Sequence, residues 1–276
     1  MFDIIGNRLR FILVAGVVVL ACAVFLLTYG LKAGIEFSSG SMMTVGFEET
    51  VEQADLKGEL AGLGYAGALI QQIGDDDFLI RLPELTGNEK TELQEGLVVA
   101  LGNLQVKEFD AVSPMVAGET TRNAAIAVSV AALGILLYIA WAFRRMPNPF
   151  RYGACAIVAL LHDTLVALGV FAILGGILGW EINLMFVTGI LAVIGYSVNN
   201  TVVVFDRIRE NLTRNERYSF GTVVNSSLVE TISRSLNTSL TTLFVVISLL
   251  LFVGPAIQNF AIVLMVGIIA GTYSSL

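Results

Sequence analysis

The chain has 276 residues, of which 55% are hydrophobic and 14% charged, against about 25% charged in ordinary soluble domains. That excess excludes a simple soluble enzyme and a disordered chain, and the net charge of −7 speaks against a partner of nucleic-acid type. Cys22 and Cys155 both lie in apolar runs and read as two small packed hydrophobes rather than a disulfide or metal site. His162 is the single histidine, so neither a histidine-based metal cluster nor a cofactor is expected.

The first apolar stretch covers 11–29. It lacks the usual small-residue cleavage site, and Gly34-Ile35-Glu36-Phe37 follows it, so it reads as a retained helix. Five more stretches follow at 123–143, 153–179, 182–205, 236–254 and 256–276. Each is close to the ~20 residues that cross a bilayer as a helix. Helices are the natural choice there, because the backbone must satisfy its own hydrogen bonds in hydrocarbon. The expected fold class is a polytopic α-helical membrane protein with six transmembrane helices and one small exported α+β, ferredoxin-like domain between spans one and two. Its expected divisions are 1–30, the N-terminus and first helix; 31–118, the exported domain; and 119–276, helices two to six with loops near 144–152 and 206–230.

The segment 31–118 carries fifteen acids against five bases, a net −10 that leaves +3 on the remainder. Strands are expected at 42–47, 68–73, 78–82 and 104–109. A helix over 51–63 would place Leu56, Leu60 and Leu63 on one side. A second would be capped by Asn88, run through Leu101 and end at Gly102. Gly74-Asp75-Asp76-Asp77 reads as a hairpin turn; it lacks the acid spacing of a calcium loop. The order β-α-β-β-α-β is that of a split βαβ unit.

Arg8 and Arg10 precede span one, Arg144, Arg145 and Arg151 crowd the loop after span two, and Arg207, Arg209, Arg214 and Arg217 fill the loop after span four. The loops at Trp180-Glu181 and Pro255 hold no Lys or Arg. Positive charge marks the cytoplasmic side, so both termini are expected in the cytoplasm and the acidic segment outside. The stretch 207–221 forms either a short amphipathic surface helix or a plain charged connector. Gly267 and Gly271, like Gly175, Gly176 and Gly179, read as sites of close helix packing.

Polar groups inside the spans need a partner or water. Span three carries His162 and Asp163, and span four carries Tyr196, Ser197, Asn199, Asn200 and Thr201. Span five opens with Arg234, then Asn237, Thr238, Thr241 and Thr242. Residues 234, 238 and 241 share a helix face, and antiparallel neighbours would bring them to the depth of Asn200. The bland reading of the Asn and Thr residues is interhelical hydrogen bonding worth about 0.6–2 kcal/mol per bond. It suits Arg234 and Asp163 less well, because a charge must be accommodated. Asp206, beside Arg207 and Arg209, and Glu230 read as interfacial. No Gly-x-Ser-x-Gly, His-Glu-x-x-His or P-loop occurs, so no covalent chemistry is assigned.

The run Gly195-Tyr196-Ser197-Val198-Asn199-Asn200-Thr201-Val202-Val203-Val204-Phe205-Asp206-Arg207-Ile208-Arg209-Glu210-Asn211 resembles the signature of the SecF family. Leu160-Leu161-His162-Asp163, Gly34-Ile35-Glu36-Phe37, Ser233-Arg234-Ser235-Leu236-Asn237-Thr238-Ser239-Leu240-Thr241-Thr242 and Gly271-Thr272-Tyr273-Ser274-Ser275 resemble it too. The resemblance spans essentially the whole chain. It implies the helix arrangement of the resistance-nodulation-division superfamily in the bacterial cytoplasmic (inner) membrane, and pairing with SecD. It further implies work beside the SecYEG channel on preproteins driven by SecA, with room for YajC, powered by a proton or sodium gradient. The implied coupling residues are Asn200, Arg234, Asp163, His162, Asn199 and Thr238.

One position departs from the family. It carries Asp directly after the Asn that matches Asn199, and here that position is Asn200, an amide that cannot exchange a proton near neutral pH. An engineered change, a natural variant, and transfer of the proton role to SecD's acid and Asp163 all stay open. The chain stops at Leu276 without the family's usual cytoplasmic tail, so a truncation is expected. A superfamily half-transporter exporting lipid or drug and a non-transporting translocon scaffold remain as other readings.

Overall fold

The computed structural model describes residues 3–73, 77–144, 149–214, 218–254 and 257–275. The expected turn at Gly74, Asp75 and Asp76, and the loop residues Arg145, Arg217 and Pro255, lie outside the described residues. The chain forms two compact units, one of Met1–Lys32 with Ala124–Leu276 and one of Ala33–Asn123.

After α1 (Arg8–Tyr29) of the first unit, the second unit opens with a single helical turn, α2 (Ile35–Ser38). Then come β1 (Gly40–Phe47), α3 (Gln53–Gly62), β2 (Leu69–Gln72), β3 (Asp77–Leu82), α4 (Gly87–Leu101) and β4 (Leu104–Val112). The sheet is antiparallel throughout, in the order β2-β3-β1-β4. Strand alternation sends Met43, Val45, Phe47, Phe78 and Ile80 to one face, where they form a core with Leu56, Leu60, Leu93 and Leu97 of the two helices. Two local expectations change. Leu63 stands 40% exposed beyond the end of α3, because the helix stops before the turn that would align it with Leu60. α4 begins at Gly87, with Thr86 rather than Asn88 as its cap: the Glu89 carboxylate accepts from the Thr86 N–H at 2.7 Å and from its Oγ1 at 2.8 Å. The sequence Thr86-x-x-Glu89 was the cue, since a Thr followed three residues later by Glu opens helices. Gly102 ends α4 at φ 89, a backbone region that glycine enters freely.

The first unit is helical. It holds α1, α5 (Pro114–Ala142) from Ala124 onward, α6 (Pro149–Leu178), α7 (Leu184–Arg214), α8 (Phe220–Phe252) and α9 (Gln258–Ser274). Five helices, α1 and α5 to α8, are long and apolar enough to cross a membrane, and α9 is apolar but has 17 residues. Half of the apolar window of α7 is buried against 6% for α1, so α7 is the central helix and α1 a peripheral one. Phe143, Leu160 and Phe171 share one apolar core with Phe186 and Val193 of α7.

Glycines seat the helices. An added Cβ at Gly169 or Gly176 of α6 would strike Cys22 or the Tyr29 ring of α1, and one at Gly267 of α9 would strike Val193 of α7. Small residues let backbones approach where lipid supplies no hydrophobic drive between helices. Cys22 is buried in this contact, whereas Cys155 is exposed, against the expectation that both are packed.

The expected loop over 206–230 is mostly helix. α7 continues to Arg214 and α8 starts at Phe220, so 207–214 is neither a separate surface helix nor a connector. Arg207–Glu210, Arg209–Asp206 and Arg214–Glu210 pair at 2.5–2.8 Å along α7. Arg207 also reaches Glu230 of α8 at 2.5 Å, and Asn211 donates to Ser227 at 3.0 Å. Spacings of three and four place the partners within α7 side by side, and the contacts to Glu230 and Ser227 tie the extended end of α7 to α8.

Candidate functional site

Asp163 sits near the middle of α6 and is fully buried. Three groups hold its carboxylate. Ser197 Oγ of α7 donates to Oδ2 at 2.5 Å, Ser274 Oγ of α9 donates to the same oxygen at 2.9 Å, and His162 Nδ1 lies 2.9 Å from Oδ1. Gly271 makes room for it, since a Cβ there would lie 3.2 Å from Oδ2. A buried carboxylate is tolerated only when its oxygens are met by donors, and α6, α7 and α9 each bring one. His162 Nε2 is buried with no hydrogen-bond partner among the described residues, and its ring stacks beside Tyr273 at 6.4 Å between centroids.

A second polar chain links α7, α8 and α9. Tyr196 OH donates to Ser239 Oγ at 2.8 Å, Ser239 and Thr272 hydroxyls share a bond of 2.6 Å, and Thr272 Oγ1 donates to the Ile268 carbonyl at 2.6 Å. One turn along each helix from the Tyr196–Ser239 bond stand Asn200 and Ser235. Both are buried, and Asn200 Nδ2 and Ser235 Oγ have no hydrogen-bond partner among the described residues. α7 and α8 run antiparallel, so a step of four forward on α7 and four back on α8 puts these two at one level.

The face of Arg234, expected at the depth of Asn200, is not the packed one. Arg234 is exposed, and it belongs to none of the ion pairs among the described residues. Asn199 is exposed too, and half-buried Thr238 turns its Oγ1 back to the Arg234 carbonyl at 2.9 Å. The face 234/238/241 is thus the open face of α8. Its packed face is the series Ser227, Thr231, Ser235 and Ser239, all buried. Small hydroxyl residues admit a close neighbour, and a guanidinium does not. That four-residue repeat was visible in the sequence, and it is the signal that would have found Ser235 and Ser239. Ser274 carried a weaker one, a small polar residue ending an apolar helix.

Residues 94–276 match the family described as protein export membrane protein SecD/SecF, C-terminal. A protein translocase subunit SecF of Thermobaculum terrenum is 43% identical, the alignment covering 100% of this chain and 91% of that protein. One of Haemophilus influenzae is 35% identical over 98% of this chain and 81% of its own. The chain belongs to the SecF family of protein translocase subunits. Among solved structures, SecDF of Thermus, described as a translocon-associated membrane protein, superposes with TM-score 0.88 at 32% identity. All of this chain is covered, and it spans 37% of the SecDF chain. A second SecDF structure, in a super-membrane-facing form, gives TM-score 0.67 at 32% identity. The SecF signature run over 195–211 falls on the central helix α7, and its buried seam through Ser197, Asn200, Thr201, Val204, Ile208 and Asn211 meets the carboxylate and the hydroxyl chain just described.

Proposed function

We propose that this chain works with SecD in the bacterial cytoplasmic membrane as a gradient-driven subunit, helping SecA-driven preproteins through SecYEG, with YajC as a further subunit. It spans the membrane six times, α9 being the sixth span, with both termini in the cytoplasm and the acidic segment exported as a ferredoxin-like domain. The strand order β2-β3-β1-β4 supports the last point. The basic residues at Arg8, Arg10 and Arg207 to Arg214 support the orientation. A cysteine at Asn103 is then labelled by an impermeant thiol reagent from outside, and one at Thr213 is not; the reverse pattern overturns it.

The observation that carries the coupling role is Asp163, a buried acid held by one donor from each of three elements. Asn200 cannot titrate, so the proton role in this chain passes to Asp163 and to SecD's acid. His162 orients the carboxylate, and Asn199 and Thr238 line the polar faces. The exposed Arg234 faces SecD, because a charge on a spanning helix turns to a partner rather than to lipid. Translocation into vesicles reconstituted with SecD and SecYEG, with and without a collapsed gradient, tests this. Asp163→Asn removes gradient-dependent stimulation and spares the gradient-independent rate, and Asn200→Asp raises the stimulation. Undiminished stimulation in Asp163→Asn overturns the assignment. Indifference of every form to the gradient favours the scaffold reading.

A further inference from the structure

At one end of the helical unit the chain before α1 folds back as a strap. The backbone N–H groups of Ile4 and Ile5 both donate to Asn225 Oδ1 of α8, at 2.8 and 3.2 Å. Ile4 is buried against Val204, Ile208 and Leu228. A cleft of about 240 Å³ is lined by this strap, the start of α1 and the end of α9. Ile4, Ile5, Phe11, Ile12 and Ala15 make its apolar wall, Tyr273 and Ser274 its far side, and Arg8 the single charge in its lining.

The wall is rigid. Tyr273 OH donates to the Phe11 carbonyl at 2.8 Å, and Ser274 is held by Asp163. Among the described residues the Arg8 guanidinium has no carboxylate partner, and its side-chain hydrogen bond, at 3.4 Å, goes to the Ile5 carbonyl. The nearby acid on the strap, Asp3, is engaged by the Gly6 N–H at 2.7 Å. An apolar slot ending at a guanidinium without a carboxylate partner among the described residues, placed where a spanning helix begins, matches one ligand chemistry: an acyl chain joined to a phosphate. Guanidinium meets phosphate oxygens through paired N–H donors, and basic pockets between spanning helices hold anionic headgroups.

The geometry points to this cleft as a site for one anionic phospholipid, its phosphate on Arg8 and an acyl chain along Ile12 and Ala15. The full chain, purified in mild detergent, is titrated with phosphatidylglycerol or phosphatidylcholine and read by native mass spectrometry. The expected result is one retained phosphatidylglycerol and weaker retention of the zwitterionic lipid. Arg8→Gln lowers phosphatidylglycerol affinity about fivefold and narrows the preference between the two lipids. Ala15→Trp, which fills the slot, weakens both. Arg10→Gln, outside the lining, changes neither. Thermal unfolding of each variant without lipid identifies any that fails to fold, and Arg8→Lys, which keeps the charge, then serves in place of Arg8→Gln: it retains the preference for phosphatidylglycerol. Equal retention of both lipids by the wild-type chain, or equal loss in Arg8→Gln and Arg10→Gln, overturns the site.

Discussion

The two units differ in what they bury beside an apolar core. The sheet unit buries an apolar core, and Ser41 is the one polar side chain among its described buried residues, accepting from the Leu85 N–H at 2.9 Å. The helical unit buries Asp163, Ser197, Asn200, Thr201, Asn211, Ser227, Thr231, Ser235 and Ser239 and exposes Leu9, Leu13, Leu20 and Leu27. The difference follows from the solvent. In water, burial of apolar area is the largest favourable contribution to folding. In hydrocarbon a leucine gains little by leaving lipid, so close packing and interhelical hydrogen bonds hold the bundle together.

The comparison is tested first by truncation. Phe78→Ala in the sheet unit should cost about 3–5 kcal/mol, read from urea unfolding of a fragment spanning 34–118. Leu27→Ala, on a lipid-exposed position of α1, should change the thermal stability of the full chain by less than about 0.5 kcal/mol. Comparable losses would end the contrast, and an unfolded fragment would show that the sheet unit needs a partner.

Removing a buried polar group should be the costly change in the helical unit. Asp163→Ala leaves Ser197, Ser274 and His162 without their acceptor, at about 1–3 kcal/mol. Asp163→Asn keeps a carbonyl oxygen for the two hydroxyls and should cost less. Thermal unfolding in detergent ranks the two, and a reversed order would mean that the carboxylate rather than its donors is the strained element.

Glycine should have opposite value in the two units. Gly267→Leu, pressed on Val193, should destabilise by about 1–3 kcal/mol. Gly58→Ala, in α3 with open space around it, should stabilise by up to about 1 kcal/mol. A neutral Gly267→Leu would remove the argument that close approach seats α9 on α7.

The smallest effect is electrostatic and confined to the sheet unit. The Thr86 N–H, and then its hydroxyl, hold the Glu89 carboxyl below its ordinary value of 4.5. A lowered folded-state value means that this group's stabilisation is present above 4.5 and is lost as pH falls through the lowered value. Urea midpoints of the fragment should fall slightly over that acid window, and Glu89→Gln should flatten that part of the profile. An unchanged profile in Glu89→Gln would remove the capping carboxylate from the account.

The sequence alone determined which stretches are apolar enough to span, where the acidic segment lies, and the strand and helix order within it. These are local properties: hydropathy sums along the chain, and a strand's alternation is readable from one face. It also singled out Asp163 and the 195–211 run. Tertiary structure decided which side of each spanning helix is packed. The sequence pointed to the face of Arg234, Thr238 and Thr241, and the bundle packs the Ser227, Thr231, Ser235 and Ser239 face instead. It also decided that Ser274, more than a hundred residues away in the chain, completes the shell of Asp163. The reason is physical. On a helix that is apolar on most sides, composition does not say which polar stripe finds a neighbour; that depends on which stripe is slim enough to let another backbone come close.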